Sequence, residues 1–196
     1  MRALPLALAL AAAWPAMAEI RQTSLGPVEI TREIDGLEGP WSLAFLPGGA
    51  MLVTQKAGRL WHVTADGERS SIHGLPEVAD IGQGGLLDVL VPRDFADSRE
   101  IYLSFARPQG RGAGTALAVG RLPEGDMRLQ DVRVIFELAE GSRGGRHFGS
   151  RIVEGADGFL HLTIGDRGDR PSAQDLAREN GSVVRVARDG TVPADN

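Results

Sequence analysis

Two distant stretches of this chain are written to one pattern. Residues 41–67 read W-S-L-A-F-L-P-G-G-A-M-L-V-T-Q-K-A-G-R-L-W-H-V-T-A-D-G. Residues 150–166 read S-R-I-V-E-G-A-D-G-F-L-H-L-T-I-G-D, and after an insertion residues 181–190 read G-S-V-V-R-V-A-R-D-G. Both run apolar strand, turn on P-G or D-G, apolar strand, loop, G-x-apolar strand, D-G. A sheet unit repeated at roughly 50 residues falls in the range of propeller blades. One such sheet cannot bury both its faces, so neighbouring sheets must stack. The expected fold class is all-β: a β-propeller of four-stranded blades, with about three blades present and the ring incomplete, since propellers close with about four to eight. The chain stops at Asn196, straight after a D-G turn. It therefore reads as truncated at its C-terminus. Completion by another chain and a self-contained three-sheet protein are the alternatives.

Taken in order, Glu19 to Gly26 reads as a loose leader and Val28–Ile34 as a first strand by its alternation. Trp41–Leu46, Met51–Thr54 and Arg59–Val63 form a three-strand meander with short turns at P-G-G and K-A-G. Ser71 to Gly85 reads as loop. A second meander comprises Leu86–Val91, Glu100–Ala106, Thr115–Leu122 and Leu129–Glu137, with Gln109–Gly114 as a flexible turn. The third unit has strands at Ser150–Val153, Phe159–Ile164 and Ser182–Ala187, and one helical turn within Ser172–Glu179. Glycine accounts for 26 of 196 residues, and it falls between the apolar runs as turn punctuation.

Residues 1–18 read as a secretory signal peptide: Arg2, an apolar run from Leu4 to Trp14, and the A-x-A site Ala16-Met17-Ala18. That places the mature protein, residues 19–196, in the periplasm or outside the cell, with no membrane span in the mature chain. The formal net charge is −5 and no basic stripe occurs, which argues against nucleic acid as a partner. There is no cysteine, so thiol catalysis, thiolate metal sites and disulfides are excluded.

The residues that suggest chemistry cluster near strand ends. His147 stands before the strand Ser150–Val153, and Asp166 follows the strand Phe159–Ile164. A hairpin of this kind brings the two together. An imidazole beside a carboxylate is a general base held in one tautomer. Taken singly, each has a structural alternative: a solvent-facing loop histidine and a turn-forming aspartate. Gln83 lies in G-Q-G-G, where flanking glycines allow a close backbone approach and the amide can donate and accept. Such a segment is also an ordinary turn. Arg151 and Arg185 fall inside strands and require a partner or a channel. Arg167-Gly168-Asp169 spells an adhesion tripeptide by coincidence. His62, His73 and His161 read as structural. No metal-ligand spacing of histidines, no calcium loop and no G-x-S-x-G motif is present.

The motifs G-P-W-S-L-A-F-L-P-G-G, G-Q-G-G-L-L-D-V, H-F-G-S-R-I-V, T-I-G-D-R and R-D-G-T-V-P-A-D-N occur here in that order. Together they resemble the soluble quinoprotein aldose sugar dehydrogenases of the glucose/sorbosone dehydrogenase family. The resemblance spans nearly all of the mature chain. It implies a six-bladed propeller, pyrroloquinoline quinone (PQQ) as cofactor, calcium, and oxidation of an aldose at C1. His147 matches the family's base, Asp166 the residue that orients it, and Gln83 a glutamine lining the site near substrate and quinone. Two positions depart from the family pattern: Arg146 stands where some members have aspartate, and Ser182 where lysine is usual. The family's calcium ligands and most of its basic quinone contacts lie in later blades, so the isolated chain is expected to be inactive. A non-catalytic secreted binding module and a lactonase-type propeller hydrolase are the other readings.

Overall fold

The computed structural model describes residues 19–196; the signal-peptide reading of residues 1–18 lies outside them. Residues 19–36 form one compact unit and residues 37–196 another. In the first, β1 (Glu19–Thr23) pairs antiparallel with β2 (Gly26–Ile30). The sequence suggested a loose leader followed by a strand running to Ile34. Instead the chain folds back at Ser24-Leu25, where the Thr23 hydroxyl donates to the Gly26 carbonyl and accepts the Leu25 N–H.

The second unit holds three antiparallel sheets, each laid down in chain order. Sheet 1 contains β3 (Pro40–Phe45), β4 (Met51–Gln55), β5 (Arg59–Val63) and β6 (Arg69–Ile72). The outer strand β6 occupies residues that read as connector and loop. R-S-S-I carries one apolar residue, Ile72, which is buried, so alternation alone could not reveal it. Sheet 2 contains β7 (Leu86–Leu90), β8 (Glu100–Gln109), β9 (Gly112–Arg121) and β10 (Gln130–Glu137), with a single helical turn, α1 (Phe95–Ser98), between β7 and β8. The expected flexible turn at 109–114 is shorter: β8 and β9 pair out to Gln109↔Gly112. Sheet 3 contains β11 (Ile152–Glu154), β12 (Leu160–Thr163) and β13 (Val183–Val186), with a 3-10 turn at Arg170–Gln174 before β13. Sheets of three and four strands stacked this way are propeller-type blades, and no sheet closes on itself.

Alternation along each strand sends apolar side chains to opposite faces. Leu52, Leu60 and Ile72 of sheet 1 pack with Val89, Ile101, Leu103 and Phe105 of sheet 2. On the other face of sheet 2, Tyr102, Leu117, Val119 and Ile135 pack with Ile152, Leu160, Leu162 and Val186 of sheet 3. The middle sheet is therefore covered on both sides.

Polar groups fix the sheets against one another. Asp88 on β7 is fully buried. Its carboxylate accepts from the Ser42 hydroxyl on β3 at 2.5 Å, from the Ile152 N–H on β11 at 2.7 Å and from Arg151 Nη1 at 3.0 Å. One carboxylate thus joins the first strands of all three sheets, and it supplies the partner that Arg151 requires. Arg185 likewise pairs with Asp195 and lies over the Phe159 ring. Arg188, just past β13, reaches back to sheet 2. It binds Asp94 at 2.8 and 2.9 Å and donates to the Tyr102 hydroxyl at 2.7 Å. The guanidinium holds the Asp94 carboxyl below its usual range.

Candidate active site

Three loops converge at one end of β7, β11 and β12. The first, Ile81–Gly85, leads into β7; the second, Gly144–Gly149, precedes β11; the third, Gly165–Asp169, leaves β12. Glycine is required at two of the crossings. A Cβ on Gly82 would lie 2.2 Å from the Gly145 carbonyl oxygen, and one on Gly165 would lie 2.0 Å from the His147 carbonyl oxygen. Real Cβ atoms do not approach that closely, so the loops can nest only with these two side chains missing.

The nested loops place the three residues singled out by sequence. His147 Nδ1 and Asp166 Oδ1 are 2.5 Å apart, with the imidazole about half exposed and the carboxylate more enclosed. Gln83 Oε1 accepts the backbone N–H of His147 at 2.8 Å, and the Gln83 N–H donates to the Gly145 carbonyl at 2.7 Å. All three therefore meet in one cluster. The route differs in detail from a plain hairpin. The β11–β12 ladder begins at Ile152↔Leu162. Beyond it the chain turns through Ser150 (φ 86°), Gly149 (φ 71°) and His147 (φ 53°). A left-handed backbone is uncommon for a residue with a side chain and needs the surroundings to hold it. At His147 the Gln83 amide provides one such hold.

The electrostatics favour an imidazole that is basic at one nitrogen. Asp166 Oδ1 also accepts the Gly168 N–H at 2.8 Å. That backbone donor, and after it the His147 ring, holds the Asp166 carboxyl below its usual range. An ionised Asp166 accepts from Nδ1–H, which fixes the tautomer and leaves the Nε2 lone pair as the ring's basic site. Among the described residues Nε2 has no hydrogen-bond partner.

Arg167 was passed over as part of a chance tripeptide. It is 4% exposed, so no receptor could read it. Its guanidinium lies 3.5 Å from the Phe148 ring centroid. It donates to the carbonyls of Arg146 at 2.8 Å and Ala113 at 2.9 Å, and to the Ser142 hydroxyl at 3.2 Å. It fastens the His147 loop from beneath, and burial pulls its pKa down to about 10. Nothing in I-G-D-R-G-D distinguishes a buried arginine from a loop cation, so sequence offered no signal for it. Arg146 remains exposed above the loop.

An imidazole aligned by a carboxylate and open at Nε2 can take a proton from a bound hydroxyl. Comparison with known proteins gives this geometry a context. The glucose/sorbosone dehydrogenase family model matches residues 37–196. Aldose sugar dehydrogenase YliI of Escherichia coli is 41% identical over 175 residues, which cover 87% of this chain and 47% of that protein. A crystal structure of a glucose dehydrogenase is 45% identical, with a TM-score of 0.79, covering 83% of this chain and 48% of the other. The PQQ-bound aldose sugar dehydrogenase of Streptomyces coelicolor is 27% identical, with a TM-score of 0.76, covering 94% and 53%. The chain spans about half the length of the relatives it matches. The match over residues 37–196, on three propeller-type sheets, means that this chain belongs to the glucose/sorbosone dehydrogenase family.

Proposed function

We propose that this chain is the N-terminal part of a periplasmic or secreted PQQ-dependent dehydrogenase that oxidises aldoses at C1. The observation that carries this reading is the His147–Asp166 pair at 2.5 Å, with Nε2 left over as a base. The PQQ-bound relative from Streptomyces coelicolor supports the choice of cofactor.

The residues present suit such a group. PQQ is a planar ortho-quinone bearing carboxylates. The loop end offers the Nε2 site of His147, the donor nitrogen of the exposed Gln83 amide and the exposed guanidinium of Arg146; Arg170 lies near enough to act on Asp166. Cations and amide donors are what quinone oxygens and carboxylates require. When bound, PQQ supplies the two-electron acceptor for the hydride from the sugar carbon. For calcium, no three His, Asp or Glu among the described residues stand close enough to hold a metal. Its ligands are not assigned to these residues, and no step is routed through it.

His147 Nε2 takes the proton of the C1 hydroxyl as the C1–O bond gains double-bond character. The imidazolium so formed is stabilised by Asp166, which keeps Nδ1 protonated throughout. Gln83 holds the His147 backbone through its carbonyl oxygen and keeps its amide nitrogen for a ligand oxygen.

The test joins this chain to the C-terminal half of the Escherichia coli relative and loads the product with PQQ and calcium. Oxidation of aldoses with a dye acceptor is expected, and His147→Ala should remove most of it. Failure to oxidise any aldose would overturn the sugar reading, and unchanged turnover in the variant would remove the base. The unjoined chain is expected to show no turnover.

A further inference from the structure

The loop that carries His147 is held by buried side chains drawn from several segments. The peptide unit between Arg146 and His147 is gripped at both ends. Its carbonyl accepts Arg167 Nη1 at 2.8 Å, and its N–H donates to Gln83 Oε1 at 2.8 Å. One residue on, the Phe148 carbonyl accepts the Thr115 hydroxyl at 2.8 Å. The Ser150 N–H donates to the Thr163 carbonyl at 2.6 Å, and the Ser150 carbonyl accepts the Ser104 hydroxyl at 2.6 Å. Thr115 and Ser104 are fully buried, and Arg167 nearly so. Ser104 fastens sheet 2 to the start of sheet 3. Thr54, also fully buried, fastens sheet 1 to sheet 2 by donating to the Leu87 carbonyl at 2.6 Å. Thr115 differs in its target, because it grips the residue next to His147.

Both grips start from fixed ground. Thr115 lies on β9, an inner strand flanked by β8 and β10. It pairs with Ala106, and its own carbonyl accepts the Leu138 N–H at 2.9 Å. Its hydroxyl therefore projects from a rigid element and not from a loop. Arg167 is tied to Ala113 and Ser142 as well as to Arg146, and lies against the Phe148 ring. Phe148 in turn packs with Leu87, Ala106 and Ala113. Peptide units are planar, so only rotation about the Cα bonds is left to the chain. The units before and after the His147–Phe148 peptide are both pinned, which confines His147 at its φ of 53°. That angle sets the direction of the Cα–Cβ bond, and with it the meeting of Nδ1 with Asp166. A small error in the backbone would carry Nε2 away from a reacting hydroxyl.

We infer that Thr115 and Arg167 are positioning residues for the base, a role that rests on the reading of His147 as that base. Neither side chain bonds to the imidazole. They act through the carbonyls of Phe148 and Arg146, on the two sides of His147. Together with Gln83 they keep Nδ1 on Asp166 and Nε2 open. The arrangement divides the work: Asp166 selects the tautomer of the ring, and the buried donors fix where the ring stands.

The test uses the joined protein described above, with and without PQQ and calcium. Thr115→Val removes the hydroxyl and keeps the shape. Arg167→Lys keeps a cation and loses the planar fork that reaches several acceptors. Each should lower kcat for aldose oxidation about tenfold while KM stays within about twofold. Thr115→Ser should restore kcat. Thr54→Val removes an equally buried hydroxyl whose contacts are Ser42 and Leu87. It should lower the melting temperature as Thr115→Val does and keep the parent kcat. Without PQQ, nitrogen NMR of the neutral His147 ring reads its tautomer. The parent should hold the proton on Nδ1 alone, and Thr115→Val and Arg167→Lys should populate both tautomers. This readout needs no substrate, so it tests the placement of the ring even where the parent oxidises no aldose and the sugar reading fails. A Thr115→Val protein with the parent kcat and a single tautomer would overturn the inference. A Thr54→Val protein as slow as Thr115→Val would overturn it too, because the loss would then follow stability alone.

Discussion

Gln83 and His147 lie 64 residues apart in sequence, and the side-chain carbonyl of one accepts the backbone N–H of the other at 2.8 Å. This hydrogen bond acts on the backbone of His147, which stands at φ 53°. Gln83→Leu removes the acceptor and should cost about 1 kcal/mol of stability. In the completed enzyme it should lower turnover further than that cost implies, because His147 loses its placement. Gln83→Glu keeps an acceptor and should retain the fold. Denaturant unfolding alongside turnover separates the two effects.

The carboxylate of Asp88 is a stronger constraint on the fold. Asp88→Ala takes this acceptor from the Ile152 N–H, the Val89 N–H and the Ser42 hydroxyl. A loss of about 3 kcal/mol follows from the buried donors left unsatisfied. Arg151→Ala should cost under about 1 kcal/mol, because the arginine end of this pair is more than half exposed and exposed charges are screened. Thermal melts of the two variants should therefore differ widely although they break the same ion pair.

Asp166 predicts a pH dependence. Its folded pKa lies below the usual carboxylate value, first through the Gly168 N–H and then through His147. A group depressed in this way stabilises the fold fully above the unfolded carboxylate pKa of about 4. That contribution is lost as pH falls through the folded value. Asp166→Asn should therefore flatten the acid limb of a stability–pH curve while leaving the alkaline limb unchanged.

Tyr102 gives the opposite sign and a clean signal, because it is the single tyrosine of the chain. Burial raises its pKa to about 12, against opposition from Arg188. The neutral phenol therefore contributes stability below the unfolded value of about 10. This is lost as pH rises through the folded value. Ultraviolet titration of the phenolate should show a transition displaced upward by about two units from the free side chain. Arg188→Gln removes the opposing charge and should displace it further.

These residues also mark what sequence could and could not disclose. The strands flanking P-G-G, K-A-G and A-D-G were legible because period-two alternation and turn residues are local signals. The meeting of His147 and Asp166 was legible because one hairpin carries both. Strand β6 was missed because only Ile72 faces the core. Asp88 sits in L-L-D-V-L, where the letters show a charge inside an apolar strand but not the Ile152 N–H that awaits it from another sheet. Arg167 was missed for the same reason: its partners, Arg146, Ala113 and Ser142, come from other segments of the chain, Ala113 from strand β9. The left-handed turn at His147 depends on Gln83 and leaves no mark in H-F-G-S. Local periodicity is written in neighbouring residues, whereas a joint between sheets is written in two places at once.

Two buried hydroxyls that bridge neighbouring sheets, Thr54 and Ser104, have a consequence for synthesis on the ribosome. Thr54 and Ser104 each find their acceptor in a sheet made later. On a growing chain the Thr54 and Ser104 hydroxyls therefore each wait for a segment made later. A hydroxyl can wait in water at little cost, because solvent accepts its proton until the next carbonyl emerges. Apolar contacts alone would let one sheet slide along another. Directional bonds such as these fix the height of one sheet against the next, which apolar packing alone does not.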